Sequence, residues 1–533
     1  MAMAQKRILL FLSLSLSLSL YLSLFCTRPS FFVFLLLLLL LLLIITSVSN
    51  HATAELSTLL ETIGLEGSIP SEIRMLPSLR ALEVDRNRLT DMDGVRDLRQ
   101  VHRLTMGFNN FSHYEEIPLW LGELTELRTL GLSETGFSST IPWESVFSKL
   151  TSLSALLLDD NDLSGDIEMA FGTNNSSITG SMTTTAPPLR ELYLQGNSLE
   201  GSLNGGFLSS FKPSLEVLDL SNNHLTGRIN TDLFSFPRLQ YLDLRNNYLE
   251  GRVLPEEILS SPPIKHLSLR GNFFDGIIPA SIGQLLELRH FDVSDNRLGP
   301  IEGSWSPADW FLPGTMGRLT NLETLMLSGN NYVTPGPIPP LLRSLTNLKQ
   351  LSLKATARTG AIPEWIGTDL TDLVLFDGSN NQLNSTIPSS LSLLTELRYL
   401  LLDRNTLNGH IPPQLKHIEN LKMLLLDQNN LTGDLHHVCR KLEHLSVIRT
   451  DCGKVQCDCC AHCCPPQTDD DDDETAPQEH HRGCSHDALL SMLKPSILLW
   501  DDNNFATDVY NRPQFNYSAD VVFVTASPTT VSP

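Results

Sequence analysis

Cysteine is the residue of this chain whose number and spacing indicate chemistry most directly. Nine cysteines are present, and none lies between Cys26 and Cys439. Thiols crowded into a short C-terminal stretch either pair as disulfides or bind a metal ion, and the spacing within Cys460-Ala-His462-Cys463 suits zinc. We predict disulfides, because an even number of clustered cysteines is typical of exported proteins, and we predict no metal site and no cofactor. The predicted disulfide-forming residues are Cys439, Cys452, Cys457, Cys459, Cys460, Cys463, Cys464 and Cys484.

The N-terminal 54 residues indicate export. Lys6 and Arg7 precede two apolar blocks, residues 8–25 and 31–45. Positive charge followed by an apolar segment is typical of a signal peptide or a signal anchor. A cleaved signal would end at the small-residue site Ala52-Thr53-Ala54, whereas a retained one would form a single membrane span with the rest of the chain outside. We therefore predict a secreted or single-pass membrane protein, in agreement with disulfide formation.

Composition points away from nucleic acid and toward an exported glycoprotein. The chain carries 38 Lys and Arg against 60 Asp and Glu, so its net charge is −22. Binding to phosphate backbones depends on clustered basic side chains, and no basic block follows Arg7. Asn-x-Ser/Thr sequons, the acceptors of N-glycosylation, are compatible with export. The predicted glycosylation sites are Asn110, Asn174, Asn175, Asn384, Asn430 and Asn516.

A repeated phrase determines where the polar side chains between these ends must lie. Its clearest copy, residues 215–229, reads Leu-x-x-Leu-x-Leu-x-x-Asn-x-Leu-x-Gly-x-Ile. Most copies follow one another at intervals of 24 to 26 residues, a period that predicts a solenoid with one turn per copy. The Asn position of the phrase, here called the asparagine ladder, falls at Asn87, Asn109, Thr135, Asn161, Asn197, Asn223, Asn247, Asn272, Asn296, Asn330, Thr356, Asn381, Asn405 and Asn429.

Each position of the phrase has a physical role. In Leu218-x-Leu220 both leucines point into the core, because side chains alternate along a strand. The strands of successive turns then stack as a parallel sheet. A buried ladder asparagine must find hydrogen-bond partners, so we expect its amide to bond the backbone of neighbouring turns, and Thr135 and Thr356 to do so in part. Ile-Pro after the glycine fixes an extended segment before a short helical turn.

The phrase resembles the plant-type leucine-rich repeat, as found in plant receptor-like proteins and receptor kinases. More loosely, the Cys-rich ending resembles that of leucine-rich repeat proteins found in diatoms. The resemblance implies an α/β solenoid, a right-handed horseshoe with a parallel β-sheet on its concave face. We predict a signal peptide or anchor over residues 1–54, about fifteen turns over 55–450, a Cys-rich cap over 451–464, an acidic linker over 465–483 and an unassigned segment over 484–533. The Trp and Cys pair of the plant-type N-terminal cap is absent from residues 46–60, and the sequence contains no kinase segment.

The outward strand positions of consecutive turns predict a binding face. These positions lie six, four and two residues before each ladder asparagine, so their side chains should stand side by side on adjacent strands. Tyrosine and arginine are frequent anchors of protein interfaces. His266 and His290 would titrate near neutrality, which suggests pH-sensitive binding. The candidate ligand-binding residues are Tyr193, Asp219, Tyr241, Asp243, Arg245, His266, Arg270, His290 and Asp292.

These features together predict a recognition protein rather than an enzyme. No phosphate-binding loop, nucleophile elbow or zinc-protease motif occurs in the sequence. The expected partner is a protein, peptide or glycan, with the membrane contacted through the N-terminal hydrophobic segment and a co-receptor available for signalling. One alternative is a structural adhesion or cell-wall glycoprotein. Another is an intracellular scaffold, which would require free thiols.

Overall fold

The computed structural model describes residues 56–464 except 61, 63, 172–186, 204–206, 230, 259–260, 300–311, 331–334, 443–444, 452, 458 and 461. The predicted N-terminal signal or anchor, both long insertions, the acidic linker and the C-terminal segment 484–533 lie wholly or mainly outside the described residues. The chain divides into two compact units, Met1–Leu225 and Thr226–Pro533.

The first unit is built on a parallel sheet of short strands, one from each turn. Consecutive strands pair in register; for example, Leu82 lies opposite Leu104, which lies opposite Leu130. These inward leucines are fully or almost fully buried, as the alternation of side chains along a strand requires. The strands are Leu56–Leu59, Leu79–Glu83, Arg103–Thr105, Thr129–Gly131, Ala155–Leu157, Glu191–Tyr193 and Val217–Asp219. Short second strands also pair, Glu66–Ser68 with Arg88–Asp91 and Ser164–Asp166 with Ser198–Glu200.

The second unit repeats this arrangement. Its parallel sheet consists of Tyr241–Asp243, His266–Ser268, His290–Asp292, Thr324–Met326, Gln350–Ser352, Leu375–Asp377, Tyr399–Leu401, Met423–Leu425, Val447–Asp451 and His462–Cys464. Second strands are Thr226–Gly227, Tyr248–Gly251, Phe273–Gly276, Arg297–Leu298, Thr359–Ala361, Gln382–Asn384, Asn408–His410, Asn430–Asp434 and Val455–Gln456. The solenoid with parallel strands is therefore confirmed for the described residues of each unit.

Short helical turns return the chain from one strand to the next. The proline of Ile-Pro precedes six of them in extended conformation; Pro388, for example, has φ −69° and ψ 137° before the turn Ser389–Leu393. In the first unit the turns are Ser71–Met75, Asp93–Val95, Ser112–Tyr114, Leu119–Glu123, Phe147–Lys149, Ile167–Phe171 and Phe207–Phe211. In the second unit they are Thr231–Ser235, Ala280–Gln284, Gly314–Arg318, Pro340–Ser344, Trp365–Asp369, Ser389–Leu393, Pro413–His417 and His436–Lys441.

The asparagine ladder lies inside the turns, as the sequence predicts. Asn272, which is 4% exposed, shows the pattern. Its Nδ2 donates to the carbonyl of Leu244 in the preceding turn at 2.9 Å, and its Oδ1 accepts from the amide of Leu249 at 3.0 Å. The hydroxyl of Thr356 takes over part of this role by donating to the Leu353 carbonyl at 2.6 Å. Buried backbone groups of neighbouring turns are thus paired through a side chain.

A left-handed residue stands immediately before the ladder position in turn after turn. Glycine meets this requirement at Gly271 with φ 63°, but Phe108, Glu134 and Arg404 adopt φ of 56°, 49° and 56°. Such conformations are unfavourable for residues that carry a Cβ. Because the adjacent ladder asparagine bonds the backbone on both sides, the surrounding turn holds these residues in place. The sequence phrase alone did not indicate this feature.

The described part of the Cys-rich segment, predicted as a cap over residues 451–464, forms two short strands. Strand His462–Cys464 pairs in parallel with Val447–Asp451, placing His462 opposite Arg449 and Cys464 opposite Asp451. Val455–Gln456 in turn pairs with Asn430–Asp434. The segment therefore continues the sheet, because the edge of the last regular strand offers backbone groups that the Cys-rich backbone can bond. No helix among the described residues is both long and apolar enough to cross a bilayer.

Candidate functional site

Strand register brings the predicted binding residues of the second unit together. Tyr241 lies opposite His266, and His266 lies opposite His290. In the next outward row Asp243, Ser268 and Asp292 are aligned in the same way. We call the seven predicted residues of this unit the polar patch; they are Tyr241, Asp243, Arg245, His266, Arg270, His290 and Asp292.

Three aromatic rings form a stacked column along the first row of the polar patch. The ring centroids of Tyr241 and His266 are 4.2 Å apart with planes inclined by 10°. Those of His266 and His290 are also 4.2 Å apart, inclined by 3°. The strand spacing of about 4.8 Å sets this distance, so the sheet itself holds the rings face to face. Each ring is held in the column by its own strand and by stacking against the neighbouring ring.

The carboxylates of the polar patch are buried and accept hydrogen bonds from the backbone, so they are not exposed to solvent. Asp243 is fully buried, and its carboxylate accepts a hydrogen bond from the Arg245 amide at 3.0 Å. The Arg245 Nε lies 3.5 Å and the His266 Nε2 lies 4.0 Å from the same carboxylate. Asp292, 5% exposed, accepts from the Ser294 amide at 2.8 Å. We expected these outward positions to be exposed, but the structure buries them and occupies their oxygens with backbone donors.

Sequence reasoning missed this backbone role, although a signal for it exists. Aspartate four residues before the ladder position is followed two residues later by the amide that it accepts, as in Asp219-x-Ser221 and Asp377-x-Ser379. An aspartate that bonds the amide two residues on is a turn-forming arrangement. Its recurrence at the same phase of the repeat indicates strand termination, not ligand contact.

The prediction that His266 and His290 titrate near neutrality is wrong. Burial lowers the pKa of His266 well below its usual range, and the neighbouring His290 and Arg245 lower it further. Burial, with the positive charge of Arg245, lowers the pKa of His290 to about 4. Both imidazoles are therefore neutral at physiological pH. Burial also raises the pKa of Asp243, while Arg245 opposes that rise.

This depression of the His290 pKa predicts a loss of stability in acid. The unfolded chain protonates this imidazole near pH 6.5, whereas the folded chain does so only near pH 4. Stability from neutral His290 is present above pH 6.5 and is lost as the pH falls toward 4. We expect the difference in unfolding free energy between the native chain and His290→Gln to fall by about 2 to 3 kcal/mol from pH 7.5 to pH 4.

Urea unfolding of both proteins at a series of pH values measures this difference. The exposed His410, replaced by glutamine, is the matched control and should give a difference that changes much less. Parallel curves for the native chain and His290→Gln would contradict the burial of an uncharged imidazole at this position.

The first unit contains the other two predicted binding residues. Tyr193 and Asp219 lie opposite each other on adjacent strands. They are 5% and 0% exposed, and the Asp219 carboxylate accepts from the Ser221 amide at 3.0 Å. The structure therefore places them side by side, as predicted, but buries both.

Arg270 offers the polar patch an accessible cation. Its side chain is 31% exposed, against 10% for Arg245. The Arg270 Nε donates at 3.0 Å to the carboxylate of Asp295, which is itself 52% exposed. Because an exposed ion pair of this kind is weak, a ligand carboxylate can compete with Asp295 for the guanidinium.

Four of the eight C-terminal cysteines have described side chains. The structure bonds Cys439 to Cys459 and Cys457 to Cys460. The side chains of Cys452, Cys463, Cys464 and Cys484 lie outside the described residues, so the full disulfide set stays a prediction. Among the sequons, Asn110, Asn384 and Asn430 are exposed, whereas Asn174, Asn175 and Asn516 lie outside the described residues.

Known proteins share both the repeat and the fold. Residues 186–249 and 263–285 match family models described as leucine rich repeat. Receptor-like protein 39 of Arabidopsis thaliana is 30% identical over 330 residues, which cover 58% of this chain and 34% of that protein. The chain contains leucine-rich repeats, and its repeat region is similar in sequence to that of plant receptor-like proteins. It spans less than half the length of the curated receptor-like proteins that it matches.

Solved receptor ectodomains extend this likeness to three dimensions. The leucine-rich repeat chain resembles the crystal structure of a TDR receptor with a TM-score of 0.61 and 28% identity, covering 75% of this chain and 63% of that one. The Arabidopsis receptor kinase HAESA, in complex with the peptide hormone IDA and the co-receptor SERK1, gives a TM-score of 0.55 and 26% identity, covering 75% and 66%.

Proposed function

We propose that this leucine-rich repeat protein is an extracellular or membrane-anchored recognition protein that binds a peptide or protein through the polar patch of its second unit. The observation that carries the proposal is the stacked column of Tyr241, His266 and His290 on three adjacent strands, with the accessible Arg270 two outward positions beyond His266 along the chain. Aromatic and arginine side chains together are frequent anchors of binding faces.

The chemistry of the polar patch suits a peptide. Neutral ring edges pack against apolar side chains, while the Arg270 guanidinium donates to a carboxylate or a main-chain carbonyl. The sheet fixes the rings before binding, so a ligand loses little free energy in ordering them. Because both histidines stay neutral, this recognition should not vary with their protonation between pH 8 and pH 5.5.

The comparisons support a peptide ligand over a glycan. HAESA has been solved with a peptide hormone and a co-receptor, and its fold resembles that of this chain. By analogy, a co-receptor would carry the signal that ligand binding starts. The apolar N-terminal segment and the exposed sequons Asn110, Asn384 and Asn430 support an extracellular position with disulfides and N-linked glycans.

Selection from a displayed library of random twelve-residue peptides tests the proposal. Peptides that bind the native full-length chain should lose at least about tenfold in affinity for Arg270→Ala. Arg270 is partly exposed, so its replacement leaves the fold intact. Binding measured at pH 8 and pH 5.5 should agree within about twofold, because no imidazole of the patch changes charge.

Matched substitutions away from the polar patch provide the control. Tyr248→Ala and Arg343→Ala remove exposed side chains, of which Tyr248 lies on a second strand and Arg343 on a helical turn. Each should bind the selected peptides within about twofold of the native chain. Failure to select any peptide, or selection of peptides insensitive to Arg270→Ala, would refute recognition at this patch.

A further inference from the structure

We propose that the thiols of Cys439, Cys457, Cys459 and Cys460, once reduced, form a binding site for one zinc ion. The proposal does not depend on the proposed function, because the site lies in the Cys-rich segment and not in the polar patch. It concerns a ligand set different from Cys460, His462 and Cys463, whose spacing alone suggested zinc.

Sulfur geometry is the first support. The Sγ atoms of Cys439, Cys457 and Cys459 all lie within 4.8 Å of one another, and those of Cys439 and Cys457 are 4.0 Å apart. Tetrahedral zinc with Zn–S bonds of about 2.3 Å needs sulfurs about 3.8 Å apart. The fourth sulfur, of Cys460, is bonded to that of Cys457 and so lies next to the other three sulfurs. Small side-chain rotations would therefore suffice to surround an ion.

Backbone hydrogen bonds link Cys439 to the residue before Cys457 independently of the disulfides. Cys439 lies in the helix His436–Lys441, and its amide donates to the Leu435 carbonyl at 2.8 Å. The amide of Leu435 in turn donates to the Gln456 carbonyl at 2.9 Å, which ties the start of the helix to the residue before Cys457. Leu435 is fully buried, so this link is anchored in the core. These hydrogen bonds involve no sulfur atom, so reduction of the disulfides does not break them directly.

Solvent access allows an ion to enter. Cys459 is exposed, and Cys439, Cys457 and Cys460 are half-buried. A phosphine reduces each disulfide by taking oxygen from water: one S–S bond breaks, two thiols form and the phosphine becomes its oxide. Two phosphine molecules thus give four thiols. Zinc then binds four thiolates, with the release of four protons and a net charge of −2 at the ion.

Cobalt titration of the reduced full-length chain tests the site. Two disulfides are first reduced with a phosphine, and bound metal is removed with a chelator. We expect one Co²⁺ per chain, with near-ultraviolet thiolate-to-metal absorption and the visible bands of a tetrahedral ion, and we expect Zn²⁺ to displace it. Loss of a ligand costs more than loss of a supporting contact, so Cys439→Ser and Cys459→Ser should each weaken zinc binding at least about 100-fold.

Controls separate this ligand set from its rivals. Cys484→Ser and Cys26→Ser remove cysteines outside the four and should leave zinc affinity within about twofold. Amide exchange of Leu435 reports whether each variant keeps its scaffold. A reduced chain that takes up no stoichiometric Co²⁺ would overturn the proposal. So would a Cys439→Ser variant that keeps native zinc affinity while Cys463→Ser loses it, since the ligands would then be the other set.

Discussion

Asn272→Ala is expected to lower the free energy of unfolding by about 3 to 5 kcal/mol. The Asn272 Nδ2 donates to the carbonyls of Leu244, Leu269 and Arg270 at 2.9, 3.1 and 3.1 Å, and Oδ1 accepts from the Leu249 amide at 3.0 Å. The alanine side chain can form none of these four hydrogen bonds, so all of them are lost at once. The backbone groups stay buried, so they lose hydrogen bonds without gaining water. Urea unfolding measures the change.

Two further variants calibrate this effect. Asn272→Thr should cost less, because the chain itself uses Thr356 at the equivalent position, where the hydroxyl bonds a buried carbonyl. Asn420→Ala removes an exposed amide with one hydrogen bond, to Thr395 at 2.9 Å, and should cost below about 1 kcal/mol. Hydrogen exchange should accelerate at the Leu249 amide in Asn272→Ala. Equal losses for Asn272→Ala and Asn420→Ala would show that the ladder does not stabilise the turns.

Arg449→Met is expected to cost about 3 to 5 kcal/mol at neutral pH. Arg449 and Asp427 are each 1% exposed, and the guanidinium donates to the carboxylate at 2.9 Å. Methionine fills similar space but leaves the Asp427 charge buried without this cation, which is strongly destabilising. The exposed ion pair between Lys441 and Glu419 offers a matched control, and Lys441→Met should cost below about 0.5 kcal/mol.

The cost of Arg449→Met should depend on pH with a definite sign. Burial raises the pKa of Asp427 to about 6, and Arg449 opposes that rise. A carboxyl whose pKa is raised by folding stabilises the fold when protonated, and that stabilisation is lost as the pH rises through the folded pKa. Without Arg449 the pKa rises further, so the variant should be weakest above pH 7 and recover toward pH 5. Adding Asp427→Asn to the variant should restore part of the loss at pH 7. A cost that is independent of pH would contradict a buried charge.

The repeat phrase predicted the fold because each of its positions has a single structural reason. Alternating leucines can face only one core, and a buried asparagine at a fixed phase can satisfy only the turns beside it. Register follows from the same phase, so the alignment of Tyr241, His266 and His290 was accessible from spacing alone. The extended segment at Ile-Pro before turns such as Ser389–Leu393 was equally predictable, because proline fixes φ.

The exposure and the protonation states of the polar-patch residues could not be predicted from spacing. Spacing states which face a side chain points to, but not what covers it. Asp243 and Asp292 were assigned to a ligand because they are outward, and the structure instead occupies them with the amides two residues on. The pKa of His290 depends on burial and on Arg245 together, and neither is a property of sequence distance. For the same reason the sulfur pairing of Cys439 depends on the backbone contact between Leu435 and Gln456, which the repeat phrase does not encode.

A ladder asparagine such as Asn272 bonds the backbone of the turn that precedes it, so the order of synthesis determines when these bonds can form. Asn272 completes the hydrogen bonding of the turn before it, through Leu244 and Leu249. A polypeptide emerges from the ribosome with its N-terminus first, so a turn that is followed by a ladder asparagine completes these hydrogen bonds only after the next turn has formed. At the growing end, the newest turn therefore holds carbonyls and amides whose ladder partner has not yet been made. The nascent coil therefore exposes a growing tip of constant size, however long it becomes.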